Sequence, residues 1–257
     1  MTAGLLPSNQ FTFERDTRGG KDLTAENNAF TPFRTSRSYC SREEKASYVY
    51  DKYRPILKGR ILDVGADVCH LKDHLGPGTP YTGIGMGGQP DLEIDLEKQP
   101  LPFADNSFDC VLCLDVLEHL DAAHAVFDAL CRVSGKYVII SLPNGWRDFL
   151  GMLLGPASKR SLDFKYYGFP AERPLDRHKW FFSNTQAQTF VRERAARNGM
   201  QILQIDSEGE GPARTWLSAT KRMGLKALAK LVRVPPSDLY YKTMWAVLEK
   251  RDPASYP

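Results

Sequence analysis

Two acids in a short turn, Asp115 and Glu118, follow an almost unbroken apolar run built on Phe108, Val111, Leu112 and Leu114. Such a run is the pattern of a strand buried on both faces of a parallel sheet. In open α/β sheets, ligands bind at the carboxyl ends of the strands, so these acids belong to a ligand-facing edge. The stretch 91–121 holds nine acids and one base, Lys98. That balance suits a cationic cofactor such as a sulfonium, although solvated surface charge accounts for most of these residues singly. Two histidines are candidates for a general base: His119, just after the strand, and His178, in the segment DRHKWFFS. A packing or surface histidine is the ordinary alternative for each.

Two motifs are set aside. Gly83-Ile-Gly85-Met-Gly-Gly88 is formally G-x-G-x-x-G, but it follows the second strand and opens no helix. The dinucleotide fingerprint needs strand, turn and helix together, so the expectation is a tight backbone loop and not an NAD site. Cys110 and Cys113 form a C-x-x-C inside the strand, and a separation of three puts them on opposite faces. No zinc or redox site is expected there, and no metal site elsewhere.

The elements that must carry these residues can be read in order. Ser41-Arg-Glu-Glu44 is a capping box opening a helix to about Leu57, with Lys58-Gly59 as its stop. Strands are predicted at 60–64, 81–84, 92–95, within 101–114, at 136–142, 201–206 and 240–250. Helices are predicted at 68–74, 121–133, from Ser183 or Asn184 to 198, and at 216–234. Alternating strands and helices give a doubly wound, Rossmann-like α/β sheet of seven mostly parallel strands. Residues 146–182 do not fit this repeat. They mix aromatic and basic side chains, and they are expected to form a cap inserted after the fifth strand, over the carboxyl ends. A surface subdomain with its own small core is the alternative. Residues 1–40 read as a polar N-terminal arm ahead of a 41–257 domain, either loosely ordered or docked, with scattered aromatics that would suit a lid.

The segment LPFADNSFDCVLCLDVLEHL, together with Ile61-Leu62-Asp63-Val64-Gly65, resembles the class I S-adenosylmethionine-dependent methyltransferases, of the methyltransferase-11-like, small-molecule or glycan type. The resemblance is strongest over 60–142 and weaker beyond. It implies methyl transfer from S-adenosylmethionine to an O, N or C atom of a small-molecule or glycan/lipid-linked acceptor. It also implies a cofactor cradle. Asp63 is the acid ending the first strand and Gly65 the first glycine of the turn that meets the methionine part. The next two glycine positions hold Asp67 and Cys69, where an aspartate could accept a hydrogen bond from the cofactor ammonium. The position of the ribose-binding acid is Gly85, next to Met86, and the loss of a charge-assisted contact there costs about 1.5–3 kcal/mol per bond. Gln89, Asp91 and Glu93 are the nearby replacements. Asp95-Leu96 align with the segment touching adenine, and Asp115-Val116 with the residues facing bound cofactor. Tyr166, Tyr167 and Arg177 of the cap are acceptor-contact candidates.

The alternative is a degenerate fold serving as a non-catalytic binding or scaffold protein. Positions 67, 69 and 85 discriminate, because side chains filling the cleft there would exclude the cofactor. Composition agrees with either reading: 257 residues, 42% hydrophobic, net charge +3, and no leader-like segment in the N-terminal sequence. The five cysteines read as reduced thiols of a cytoplasmic protein. The basic, amphipathic stretch 216–234 is either a surface helix on the sheet edge or a peripheral contact with an anionic membrane. Nucleic acid is not expected, since no basic stripe interleaves with stacking aromatics outside the cap.

Overall fold

In a computed structural model, residues 32–154, 166, 171–172, 176–208 and 216–251 are described. The first helix, α1 (Arg42–Tyr53), starts where the capping box places it. The Ser41 hydroxyl accepts from the Glu44 backbone N–H, and the Glu44 side chain returns the bond to Ser41. The helix stops four residues short of the expected end, and Gly59, at φ +70°, turns the chain into the sheet.

The sheet has seven strands: β1 (Ile61–Val64), β2 (Tyr81–Gly85), β3 (Leu92–Glu93), β4 (Phe108–Leu114), β5 (Ser134–Pro143), β6 (Met200–Ser207) and β7 (Thr243–Lys250). Their order is β3-β2-β1-β4-β5-β7-β6, with β7 antiparallel to both neighbours and the other pairings parallel. The direction of β7 follows from where it starts. Thr243 pairs with Pro143, the last residue of β5, at the carboxyl edge. A strand entering from that edge must run backwards, whereas a parallel one would need a crossover to the opposite edge.

The remaining helices are α2 (Ala123–Val133), α3 (Gly145–Leu154), α4 (Asn184–Arg197), α5 (Trp216–Val232) and α6 (Pro236–Tyr240). The helix α3, inside the expected cap, and the short α6 are additions to the predicted set. The first crossover is a single 3-10 turn, His70–His74, not the expected longer helix. Two residues ahead of it, Asp67 and Cys69, have positive φ, and Gly76, Pro77, Gly78 and Pro80 follow, leaving no room to propagate an α-helix.

Each face of the sheet carries its own core. One holds Leu62, Val64, Val111, Cys113, Val138 and Ile140 under α2 and α4. The other holds Ile61, Cys110, Leu112, Ile139, Trp245 and Val247 under α1. Cys110 and Cys113 therefore do lie on opposite faces, as alternation demands. The arm is docked over its described part, 32–40. Phe33 is buried, its backbone exchanges two hydrogen bonds with the Gln204 side chain, and its ring meets Tyr53 edge-on. Among the described side chains of α5, Leu225 and Ala229 are buried, whereas Leu231 and Val232 are exposed. No helix among the described residues is long and apolar enough to cross a membrane.

Candidate functional site

The carboxyl ends of β1, β2 and β4 open into a cleft of about 940 Å³, roofed on one side by α1 and on the other by residues 176–178. Asp63 lies at its floor. It is buried and accepts a 2.8 Å hydrogen bond from the Tyr81 hydroxyl. Burial pushes its carboxyl up to about 6, against the opposing pull of the Tyr81 bond and the Lys45 charge.

The turn after β1 keeps the path that a glycine-rich loop would take. Gly65 has φ +79°, and a Cβ there would run into the Val116 side chain. Asp67 (φ 53°) and Cys69 (φ 59°) both sit in the left-handed region, the conformation that glycine supplies without strain. The residue types depart from the expected glycines, but the backbone does not. The thiol of Cys69 lies under Gly83, and the residue does not line the cleft. Asp67 does line it, paired with Arg42 of α1 and packed against Gly88 of the β2–β3 loop. Gly85 leaves open space: a Cβ there would meet nothing nearer than the Gly65 Cα at 3.8 Å.

The nearby residues named as replacements, Gln89, Asp91 and Glu93, lie outside the cleft. Asp91 accepts from the Gly83 N–H at 2.8 Å and from Lys72 at 2.7 Å, which together hold its carboxyl below the usual range. Neither Asp91, Gln89 nor Glu93 is among the cleft-lining residues. The reason is register, because β3 pairs with β2 only at Ile84–Leu92 and Gly85–Glu93, which leaves 89–91 in the connecting loop.

The other expected cofactor contacts converge. Met86, Asp95, Leu96, Asp115 and Val116 all line the cleft. Asp95 sits in a tight turn, bonded to Lys98 at 2.8 Å and to the Glu97 N–H at 3.0 Å, and both lower its pKa. Asp115 follows β4 at φ 57°, and its carboxylate accepts from the Ser141 hydroxyl at 2.6 Å and from Lys45 at 2.7 Å. Lys45 and Arg42 are cleft-lining residues that sequence reading missed. The capping box locates their helix, but nothing local tells which of its faces crosses the strand ends.

The side of the cleft expected to face the acceptor is built by 176–182. Its backbone docks on the turn after β4 (Lys179 N–H to Glu118 carbonyl, 2.8 Å), and the Lys179 ammonium bridges Glu97 and Asp121 at 2.6 Å each. This docking puts His178 beside His119, ring centroids 4.6 Å apart, so both base candidates face the cleft, as does Arg177. Tyr166 stacks edge-on to His178 and to Phe181. It does not line the cleft but a second, apolar hollow of about 620 Å³ with Phe149, Leu153, Phe181 and Val232. Tyr167 lies outside the described residues.

The family model described as a methyltransferase domain matches residues 87–139. No curated protein sequence matches the chain. Among solved structures, a SAM-dependent methyltransferase from Archaeoglobus fulgidus is 14% identical, over 82% of this chain and 95% of that one, with a TM-score of 0.52. Also similar are an S-adenosylmethionine-dependent methyltransferase from Mesorhizobium loti (16% identical, 76% and 93% covered, TM-score 0.46) and the magnesium protoporphyrin IX methyltransferase from Synechocystis PCC 6803 (17% identical, 81% and 83% covered, TM-score 0.45). The strand order and the first of these matches show that the chain has the class I methyltransferase fold expected from its sequence.

Proposed function

We propose that this chain is a methyltransferase that binds S-adenosylmethionine in the 940 Å³ cleft and methylates a small-molecule or glycan/lipid-linked acceptor. The observation that carries the reading is the convergence of Asp63, Gly65, Asp67, Gly85, Met86, Asp95, Leu96, Asp115 and Val116 on that one cleft. They come from four strand ends, and the cleft is of the size that small-molecule sites occupy, roughly 300–1,000 Å³. The residues present fit the cofactor. The left-handed backbone at 65, 67 and 69 keeps the turn open, and the empty space at Gly85 leaves room for a ribose.

When bound, S-adenosylmethionine supplies a methyl group on a sulfonium that is displaced in line. The chain has to orient, exclude water and, where the acceptor requires it, take a proton. In this reading Asp95 accepts from the adenine amino group, and Arg42 and Lys45 offer cations to the carboxylate of the methionine part. Asp67, lying against Gly88, is the carboxylate best sited to replace the acid missing at 85. Acids outnumber lysines and arginines among the described lining residues, which favours a cationic ligand. His178 or His119 would receive the acceptor's proton, with Arg177 beside them. The apolar hollow behind Tyr166 supports an acceptor with a hydrocarbon portion.

The scaffold reading has one observation in its favour: the Lys45 ammonium already neutralises Asp115 at the position where a sulfonium would be expected. Calorimetric titration with S-adenosylmethionine and S-adenosylhomocysteine separates the two. Micromolar binding that is lost in an Asp95→Ala/Asp115→Ala variant is the expected result. Absence of binding up to millimolar cofactor would leave the scaffold reading.

A further inference from the structure

Glu118, His119 and His178 stand together at the acceptor end of the cleft, and no metal site was read from the sequence. Each offers a ligand atom, and these atoms all lie within 4.8 Å of one another. Glu118 is 1% exposed and His178 7%, so a carboxylate and an imidazole have been brought out of water side by side. His119 Nδ1 lies 2.6 Å from the Asp176 carboxylate, which fixes the proton on that nitrogen and leaves Nε2 aimed inward, 3.9 Å from Glu118 Oε1. A ring nitrogen held by an outer carboxylate, with its other nitrogen turned to a second carboxylate, is the arrangement that orients metal-ligating histidines.

We infer that Glu118, His119 and His178 form a site for a divalent first-row transition-metal ion, with Asp176 as the outer carboxylate that orients His119. Two imidazoles and a carboxylate suit zinc, cobalt, nickel or iron and not calcium or magnesium, which take mainly oxygen ligands. Three protein ligands with a position left open is the pattern of catalytic zinc, not structural zinc. Ligands about 2.0–2.1 Å from zinc lie about 3.3 Å apart, so atoms that lie within 4.8 Å of one another have to close by up to about 1.5 Å. The backbone at His178 is held by a bridge to Tyr166 and by the bonds at Lys179, so the closing falls to rotation of the His119, His178 and Glu118 side chains. All three ligands line the cleft, so the open position faces it. Resting on the methyl-transfer reading, the class of acceptor follows: a molecule presenting a hydroxyl or carboxylate oxygen that the ion would hold and polarise.

The test uses the full chain, free of any histidine tag, at neutral pH and without S-adenosylmethionine. Zn2+ is titrated by calorimetry and Co2+ by its visible absorption. Expected are one ion per chain at micromolar or tighter affinity and tetrahedral-type cobalt bands. Asp176→Asn should weaken binding roughly 10- to 100-fold, and Glu118→Gln and His178→Gln should weaken it further. His119→Gln, at a residue that is only partly buried, keeps the test open if either buried variant fails to fold. No saturable binding up to millimolar ion, or binding undiminished in folded variants, would overturn the site. Cofactor titration is a separate readout. A chain that binds the metal but shows no binding when titrated with S-adenosylmethionine would sink only the methyl-transfer reading, and a chain that binds S-adenosylmethionine but no metal would sink only this one.

Discussion

Restoring an acid at Gly85 should tighten cofactor binding. The backbone there is outside the left-handed region, and a Cβ would meet the Gly65 Cα, Ala66 N and Gly87 O at 3.8–4.0 Å, ordinary contact distances. Gly85→Asp is therefore accommodated without strain, and its carboxylate would enter the cleft beside the turn after β1. A charge-assisted hydrogen bond to a ribose hydroxyl is worth about 1.5–3 kcal/mol. Fixing the new side chain costs about 1 kcal/mol. The net gain of about 0.5–2 kcal/mol corresponds to roughly 2- to 30-fold tighter binding. Gly85→Ala is the control, since it adds the Cβ without the charge and should leave affinity near that of the parent. Calorimetry with S-adenosylhomocysteine reads both, and circular dichroism checks that both are folded. If the folded aspartate variant binds no tighter than the alanine one, the ribose does not lie at Gly85 and the placement of the cofactor is wrong.

Three further perturbations test the architecture. Gly65→Ala should lower the urea midpoint and abolish cofactor binding: a left-handed alanine costs about 1–2 kcal/mol, and its Cβ adds a collision with Val116; a stable, binding-competent variant would refute the tight approach of the turn. Asp63 binds its proton more tightly folded (pKa about 6) than unfolded (3.8), so its ionisation costs stability that grows as pH rises through this window. Asp63→Asn should therefore be more stable than the parent by up to about 3 kcal/mol above pH 6, with the advantage fading towards pH 4; an advantage independent of pH in urea melts would refute the burial argument. Ser41→Ala should cost about 1 kcal/mol by removing one arm of the capping box, visible as a shift in midpoint at constant slope; no shift would mean that α1 is held by packing alone.

Much of the fold was legible because its signals are local. The apolar run of β4, the capping box at Ser41, the helix start at Ser183 or Asn184, and the spacing of Cys110 and Cys113 each depend on a few neighbouring residues, and each reappears in the structure. Asp115 was picked out by where its strand stops, and Asp63 and Asp95 by the family resemblance; all three line the one cleft. Helix α3 was missed because an aromatic-rich stretch with few breakers reads equally well as cap or helix. The 3-10 turn at 70–74 was overcalled because its apolar pattern is too short to reveal the left-handed residues ahead of it.

By itself the sequence determined the α/β class, the strand that ends at Asp115 and the set of acids along the ligand edge, because alternation, turn chemistry and burial on both faces are properties of contiguous residues. Only the tertiary structure decided that Asp67 and Cys69 keep a glycine's backbone, that Arg42 and Lys45 reach over the strand ends, and that Asp91 is spent on Lys72 and the Gly83 N–H. It also decided the meeting of Glu118 and His119 with His178, some 60 residues away. These are facts of register, docking and loop path. They depend on which residues far apart in the chain share one small volume, and no local pattern carries that.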